Sequence, residues 1–211
     1  MPKIAARERD AFYETRRTEL AEVALELWAE KGFDATSVAS IAEAAGVSKG
    51  TFYLYYESKH ALLEDVLRRY SLLPNIQTLA DGMAGATLEE AVSTFVREAW
   101  RHLSEHRNLV LLALRELPTH LDEVQSVLEH IFIPGNKLIA AYLDARLGPE
   151  RAKEISLVVA GRGLIGMIVT MFLSHSILDA GRFLPLDEEQ ITSTIAQVFL
   201  HGVVGAKESA T

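Results

Sequence analysis

Apolar residues recur at intervals of three and four along most of this chain, and no segment sustains an apolar–polar alternation of period two, so the pattern predicts helices and no strands. Leu20, Val23, Ala24, Leu27 and Trp28 make the first stripe, over Thr15 to Lys31, and Gly32 closes it. The polar residues 1–13 ahead of it are expected to fray. Val38, Ile41, Ala42 and Ala45 make a second helix of about two turns, capped by the hydroxyl of Thr36 or Ser37. Gly46 stands where that helix needs a left-handed residue to stop, and Ser48 caps a third. Ser58 opens a fourth, from 58 to about 73, ended by Leu72, Leu73, Pro74 and Asn75. After a loop over Gly82 to Thr87, helices are predicted at 87–105, 108–117, 119–146, 150–179 and 187–204. They are separated by Pro118, by Gly148 with Pro149, and by Gly181 to Pro185, and Pro134 with Gly135 is expected to break or kink the longest.

The second and third helices carry the chemistry. The turn between them is tight, Ala42 is small enough to let them cross closely, and Val47 and Phe52 point back into a shared core, which makes a helix-turn-helix. The third opens Ser48, Lys49, Gly50, Thr51: hydroxyls, an ammonium group and a bare backbone at a helix start, suited to phosphate and to entry into a major groove. Tyr53 and Tyr55 cannot share a face with Phe52 and Tyr56, so the latter pair is assigned to the core and the former to DNA. Lys59 lies just after the Ser58 cap, where its charge opposes the helix dipole, and a nearby phosphate would offset that cost. A role outside the protomer is expected for it.

These residues resemble the TetR family of one-component transcriptional regulators, whose pattern T-T/S-V-x-x-I-A-x-x-A-G-V-S-K-G-T-x-Y-x-Y/H-F-x-S-K-x-x-L is supplied almost completely from about Leu20 through Leu63. Trp28 and Tyr56 stand where Phe is usual and His60 where Glu is common. The resemblance implies an all-α chain with a three-helix DNA-binding head over 14–60 and a larger helical body for ligand binding and dimerisation over 61–211. It implies a homodimer on a palindromic operator, with Thr51 and Tyr53, joined by Lys49 and Gly50, at base edges. Ser48, Tyr55, Lys59 and Thr36 are then expected to position phosphates.

Charge sharpens this picture. The formal net charge is -8, and residues 1–70 hold ten basic against twelve acidic residues, so even the head is not globally basic. Between Gly46 and His60, however, Glu57 is the one acid beside Lys49 and Lys59, and Lys3, Arg7, Arg9, Arg16 and Arg17 gather near the N-terminus. Local charge then governs binding, while global acidity suppresses loose attachment to DNA. Few phosphate contacts per protomer are expected; Arg7 and Arg9 form either a minor-groove arm or a solvated terminus. The chain has no Cys, which excludes disulfides and thiolate metal sites, and no signal-like segment opens it, so a cytoplasmic protein is expected.

In the body, Asp187 with Gln190 reads as a capping box. Ile191, Ile195, Val198, Phe199 and Val203 form an apolar stripe, and the 155–173 segment is apolar almost all round, with Leu164 and Ile168 on it. In TetR relatives the last two long helices make a four-helix dimer interface, and these seven residues are assigned to it. Other readings of the segment are weaker. Gly161, Gly163 and Gly166 make a GxGxxG, but a dinucleotide fold needs a preceding strand and a return strand. A membrane span would carry Arg162 in mid-bilayer. Glu98, His102 and His106 share a helix face without an identifiable fourth ligand, so no metal site is assigned.

No nucleophile elbow, Walker loop or His-Glu-x-x-His is present, which disfavours an enzyme. No cofactor is assigned. The expected function is a repressor released by a small apolar or amphipathic effector, an acyl chain or drug-like molecule, drawn into the body. Its possible lining is Phe95, Trp100, Leu103, Leu111, Leu114, Phe132, Tyr142, Met167, Met171, Phe172 and His175, most of them equally suited to plain core. An effector-independent activator or architectural DNA-binding protein is the alternative, and a dinucleotide-binding enzyme a distant one.

Overall fold

The computed structural model describes residues 2–74, 76, 77, 85–116, 125 and 127–204, and every regular element among them is helical. The expected break at Pro118, the helix start at 119 and residues 82–84 of the expected loop lie outside them. The fold divides into two compact units: Met1–Tyr70 with Asn108–Leu128, and Ser71–Arg107 with Glu129–Thr211.

In the first unit, the head, α1 (Pro2–Lys31) packs against α2 (Val38–Ala44), α3 (Lys49–Tyr55) and α4 (Lys59–Arg69). Helices as short as α2 and α3 are marginal alone, so caps and burial hold them. Ser37 accepts from the Ser40 N–H and Ser40 answers at the Ser37 N–H; Ser48 and Ser58 accept from the Thr51 and Ala61 N–H groups. Gly46 takes φ +67°, the left-handed turn expected of it. Trp28, Phe33, Ile41, Phe52 and Leu62 are fully buried, giving the two crossing helices one shared core. The expected fraying is not found: α1 begins at Pro2. Ala5, Ala6 and Arg7 favour helix, and Tyr13 gives this stretch a docking point, its hydroxyl donating to the Leu54 carbonyl at 3.2 Å.

The α4 helix stops at Arg69, earlier than expected, and groups with the head. Asn108–Glu116 of α6 (Arg107–Glu116) does so too.

In the second unit, the body, α5 (Leu88–Glu105) starts on a Thr87–Glu90 capping box and α9 (Glu188–Val204) on the Asp187–Gln190 pair. A π-helical turn, Leu128–Phe132, precedes α7 (Ile133–Glu154), and Pro134 sits in the first turn of α7, where its missing N–H does no harm. Gly148 takes φ +76° before Pro149 and kinks α7.

The helix expected over 150–179 is in fact two. Ile155 is extended, Ser156 caps a new start, and α8 (Leu157–Phe172) runs into a π turn at Leu173–Ile177. This α8 packs against α7, α9 and α5. Gly161 is bare where a Cβ would stand 2.8 Å from the Ile139 side chain of α7, so the close approach requires glycine. All three glycines of the GxGxxG lie inside continuous helix with no strand before them, which overturns the dinucleotide reading. Leu157–Ile177 is, among the described residues, the one stretch long and apolar enough to cross a membrane.

Candidate nucleic-acid interface

On a seven-residue helix the exposed arc is short. Lys49, Gly50, Tyr53 and Leu54 are exposed, Thr51 and Tyr55 half-buried, and Phe52 buried. Rows i and i+4 place Lys49 beneath Tyr53 and Gly50 beneath Leu54, so these four share one outward face. Tyr53 stands edge-on to the buried Phe52 at 5.5 Å, and Tyr55 lies against Tyr13 of α1 at 4.9 Å. This outward face is therefore held on both flanks.

Not every expected DNA contact faces out. Thr36 is buried and its hydroxyl donates to the Gly32 carbonyl at 2.7 Å, closing the turn from α1 to α2. Lys59 donates to the carbonyls of Phe33 and Thr36, at 2.7 and 3.0 Å, with its ammonium group 4.2 Å from the centre of the Phe33 ring. The offset to the unfavourable dipole thus comes from the protomer's own carbonyls and an aromatic face, and the outward role expected for Lys59 is corrected. Ser48 is exposed but occupied by its cap, and its hydroxyl shares a 2.8 Å hydrogen bond with that of Thr51. Leu54, 72% exposed, is the member of the face that spacing alone does not single out, since an apolar residue in a helix reads first as core.

Behind this face lies a charged hub. The Asp65 side chain is 2% exposed, accepts from the Tyr56 hydroxyl at 2.6 Å and from Arg69 Nε at 2.7 Å, and meets Arg17 at 3.1 Å and Arg68. Arg69 also reaches Glu14 at 2.8 Å. The hub ties α1, the end of α3 and α4 together. Burial alone would raise the Asp65 pKa, but hydrogen bonds from Tyr56 and Arg69 and the charges of Arg69 and Arg17 outweigh it and hold the carboxyl below its usual range. Burial and the hydrogen bond to Asp65 push the Tyr56 phenol up to about 12. On the α1 end that precedes α2, Arg115 of α6 donates to the Trp28 carbonyl and Glu116 accepts from the Phe33 N–H at 3.2 Å.

In the body a cavity of about 50 Å³ is lined by Val92, Phe95, Ile139, Tyr142, Leu164 and Phe199, among others. Of the expected effector lining, Phe95 and Tyr142 reach it. The Tyr142 hydroxyl is buried and has no hydrogen-bond partner among the described residues. Trp100 and Phe172 are buried against each other edge-on at 5.5 Å, with His175 6.2 Å from Trp100. Leu103 is half-buried on α5. Leu114 and Phe132 are exposed, and Leu111 and Leu114 belong to the head's unit. Met167 and Met171 line a separate outer groove of about 520 Å³ with Gly166, Thr170, Thr194 and Val198.

Of the seven residues expected to associate, Leu164, Ile168, Ile191, Ile195, Phe199 and Val203 are buried inside the protomer. The apolar stripe packs the chain's own core, and Val198 alone of the seven is exposed, at 57%. The outward side of the same helices is the methionine-lined groove together with exposed Val158 and Val159. Glu98 is engaged by Arg101, and the rings of His102 and His106 lie 4.4 Å apart; among the described residues no group of three acidic, His or Cys side chains is arranged for a metal.

Residues 20–66 match the family described as "Bacterial regulatory proteins, tetR family". The HTH-type transcriptional regulator YerO of Bacillus subtilis (strain 168) is 24% identical over 92% of this chain and 67% of its own length. The HTH-type transcriptional repressor KstR2 of Rhodococcus jostii (strain RHA1) is 39% identical over 37% of this chain, a match that spans only 41% of that repressor. The crystal structure of the transcriptional regulator FadR from Bacillus subtilis in complex with stearoyl-CoA superposes with a TM-score of 0.71 at 20% identity, covering 88% of this chain and 98% of that one.

Proposed function

We propose, from the premise that this chain belongs to the TetR family of transcriptional regulators, that it is a homodimeric repressor of the bacterial cytoplasm which a small amphipathic effector releases from a palindromic operator. The observation that carries the DNA reading is the outward face of Lys49, Gly50 and Tyr53 on a helix capped by Ser48 and anchored by Phe52. Lys49, Gly50 and Tyr53 are proposed at base edges with Thr51 behind them, and Ser48 and Tyr55 at phosphates. Two such helices in successive major grooves lie about 34 Å apart, as a two-fold symmetric site requires. The groove on α8 and α9, with Val198 and the two methionines, supplies the pairing surface. We keep 14–60 as the reading module and 61–211 as the module that pairs and senses.

The effector reading is supported by the body cavity and by the unpartnered Tyr142 hydroxyl, which an acceptor on a ligand would satisfy. At about 50 Å³ the cavity is far below the roughly 300–1,000 Å³ of a typical ligand pocket. An acyl compound, the class bound in the FadR structure, therefore enters only if α5, α7, α8 and α9 part. A ligand that fits one state and not the other shifts the balance by its differential affinity, which is what release from DNA needs. In this reading α4 carries the shift towards the reading helices, with the Arg115–Glu116 end of α6 as a second route.

Lys49→Ala with Tyr53→Ala tests the DNA reading, because both side chains are exposed and their loss leaves the fold intact. Binding to the best duplex selected from a random pool should weaken by roughly a hundredfold in fluorescence anisotropy, with an unchanged melting temperature. Unchanged affinity in a folded double variant defeats the reading.

A further inference from the structure

Leu54 is the least expected member of the groove-facing set. It is 72% exposed, while its neighbours along the helix, Phe52 and Tyr56, are buried at 0% and 3%. An isolated exposed Leu on an ordinary surface needs no explanation. This one cannot turn inward, because its helix is locked in rotation. The Leu54 carbonyl accepts from Tyr13 at 3.2 Å, the Tyr55 ring rests on Tyr13, and Phe52 fills the core beneath. One turn earlier on the same face, Gly50 leaves the backbone bare; a Cβ there would meet nothing nearer than Ser48 Oγ at 3.7 Å. The result is an isobutyl group standing beside an open strip of backbone on the face proposed to enter a major groove.

An aliphatic side chain neither pairs with a phosphate nor satisfies the donors and acceptors that guanine, cytosine and adenine present in that groove. The apolar group available there is the C5 methyl of thymine. We propose that Leu54 reads a thymine methyl at one fixed position in each half-site, making it a specificity-determining residue beside Lys49 and Tyr53. This rests on the DNA-binding reading above.

The methyl can be removed without altering base pairing by replacing single thymidines with deoxyuridine, symmetrically in both half-sites of the selected duplex. Wild type and Leu54→Ala are then compared across the series by anisotropy. At one position the change from dT to dU should weaken wild type about fourfold per half-site, the worth of one buried methyl group. It should leave Leu54→Ala unaffected, and Leu54→Met should restore the dependence. Leu54→Ala should keep its melting temperature, so a loss of affinity is not a loss of fold. If every dU is tolerated by wild type, or if the sensitive position is equally sensitive in Leu54→Ala, the assignment is overturned while DNA binding stands. If neither protein binds any duplex, the DNA reading falls and takes this assignment with it.

Discussion

In the head, α2, α3 and α4 each begin on a serine, and the buried Asp65 carboxylate is surrounded by a tyrosine and three arginines. Both units bury an indole nitrogen without a hydrogen-bond partner among the described residues, Trp28 in the head and Trp100 in the body, but the body also leaves the Tyr142 hydroxyl unpartnered on the wall of its cavity. Two of the body's α-helices also border π turns. The contrast separates two duties. A surface proposed to present the Lys49, Tyr53 and Leu54 side chains to a groove is held by polar contacts, since each cap and ion pair removes an alternative position for α3. A compartment proposed to admit a ligand is packed by apolar contacts that re-form after parting and retains polar groups that a ligand can satisfy.

The largest test of the contrast is Asp65→Ala, which leaves Arg17 and Arg69 without their buried partner and should cost about 3–5 kcal/mol in urea unfolding. Because the folded pKa of Asp65 lies below its unfolded value, its contribution is present above the ordinary carboxylate range and lost as pH falls through the lowered folded value. The stability gap between wild type and Asp65→Asn should therefore be constant from pH 7 to about pH 5 and shrink below about pH 4, which denaturant midpoints across that range will show.

Tyrosines in the two regions should respond with opposite sign. Tyr56→Phe removes a donor to a buried charge and should destabilise by roughly 2 kcal/mol, whereas Tyr142→Phe removes an unsatisfied hydroxyl and should be neutral or stabilising by up to about 1 kcal/mol. Equal losses in both variants would dissolve the distinction. Gly161→Ala probes the body's packing: the added methyl meets Ile139, so a loss of about 1–2 kcal/mol is expected although Ala is the better helix former, and the same substitution made in an Ile139→Ala background should cost less. The smallest effect is at the cap. Ser48→Ala should cost about 1 kcal/mol of stability and lower DNA affinity through disorder of α3.

The head was legible because its boundaries are written in local chemistry. Ser37, Ser48 and Ser58 as caps and Gly46 as a left-handed stop all act within four residues, and the structure follows them. Part of what was missed depended on distant partners. Lys59 was expected to reach outside the protomer until the fold brought the Phe33 and Thr36 carbonyls to it, and Leu54 was given no role although the inward assignment of Phe52 and Tyr56 already leaves it facing out. In the body, helical spacing identified the stripe from Ile191 to Val203 but not which neighbour it meets, because an apolar stripe has the same period whether it faces its own core or a second copy. The break at Ile155 and Ser156 was hidden by the apolar run after it, though a serine three residues before Val159 is itself a cap signal.

Selection of binding sites from a random duplex pool, followed by sequencing, tests the central claim most directly. The reading predicts enrichment of an inverted repeat with half-site centres about one helical turn apart, by a chain whose overall charge is -8. No enrichment, or a single unrepeated site, would contradict it.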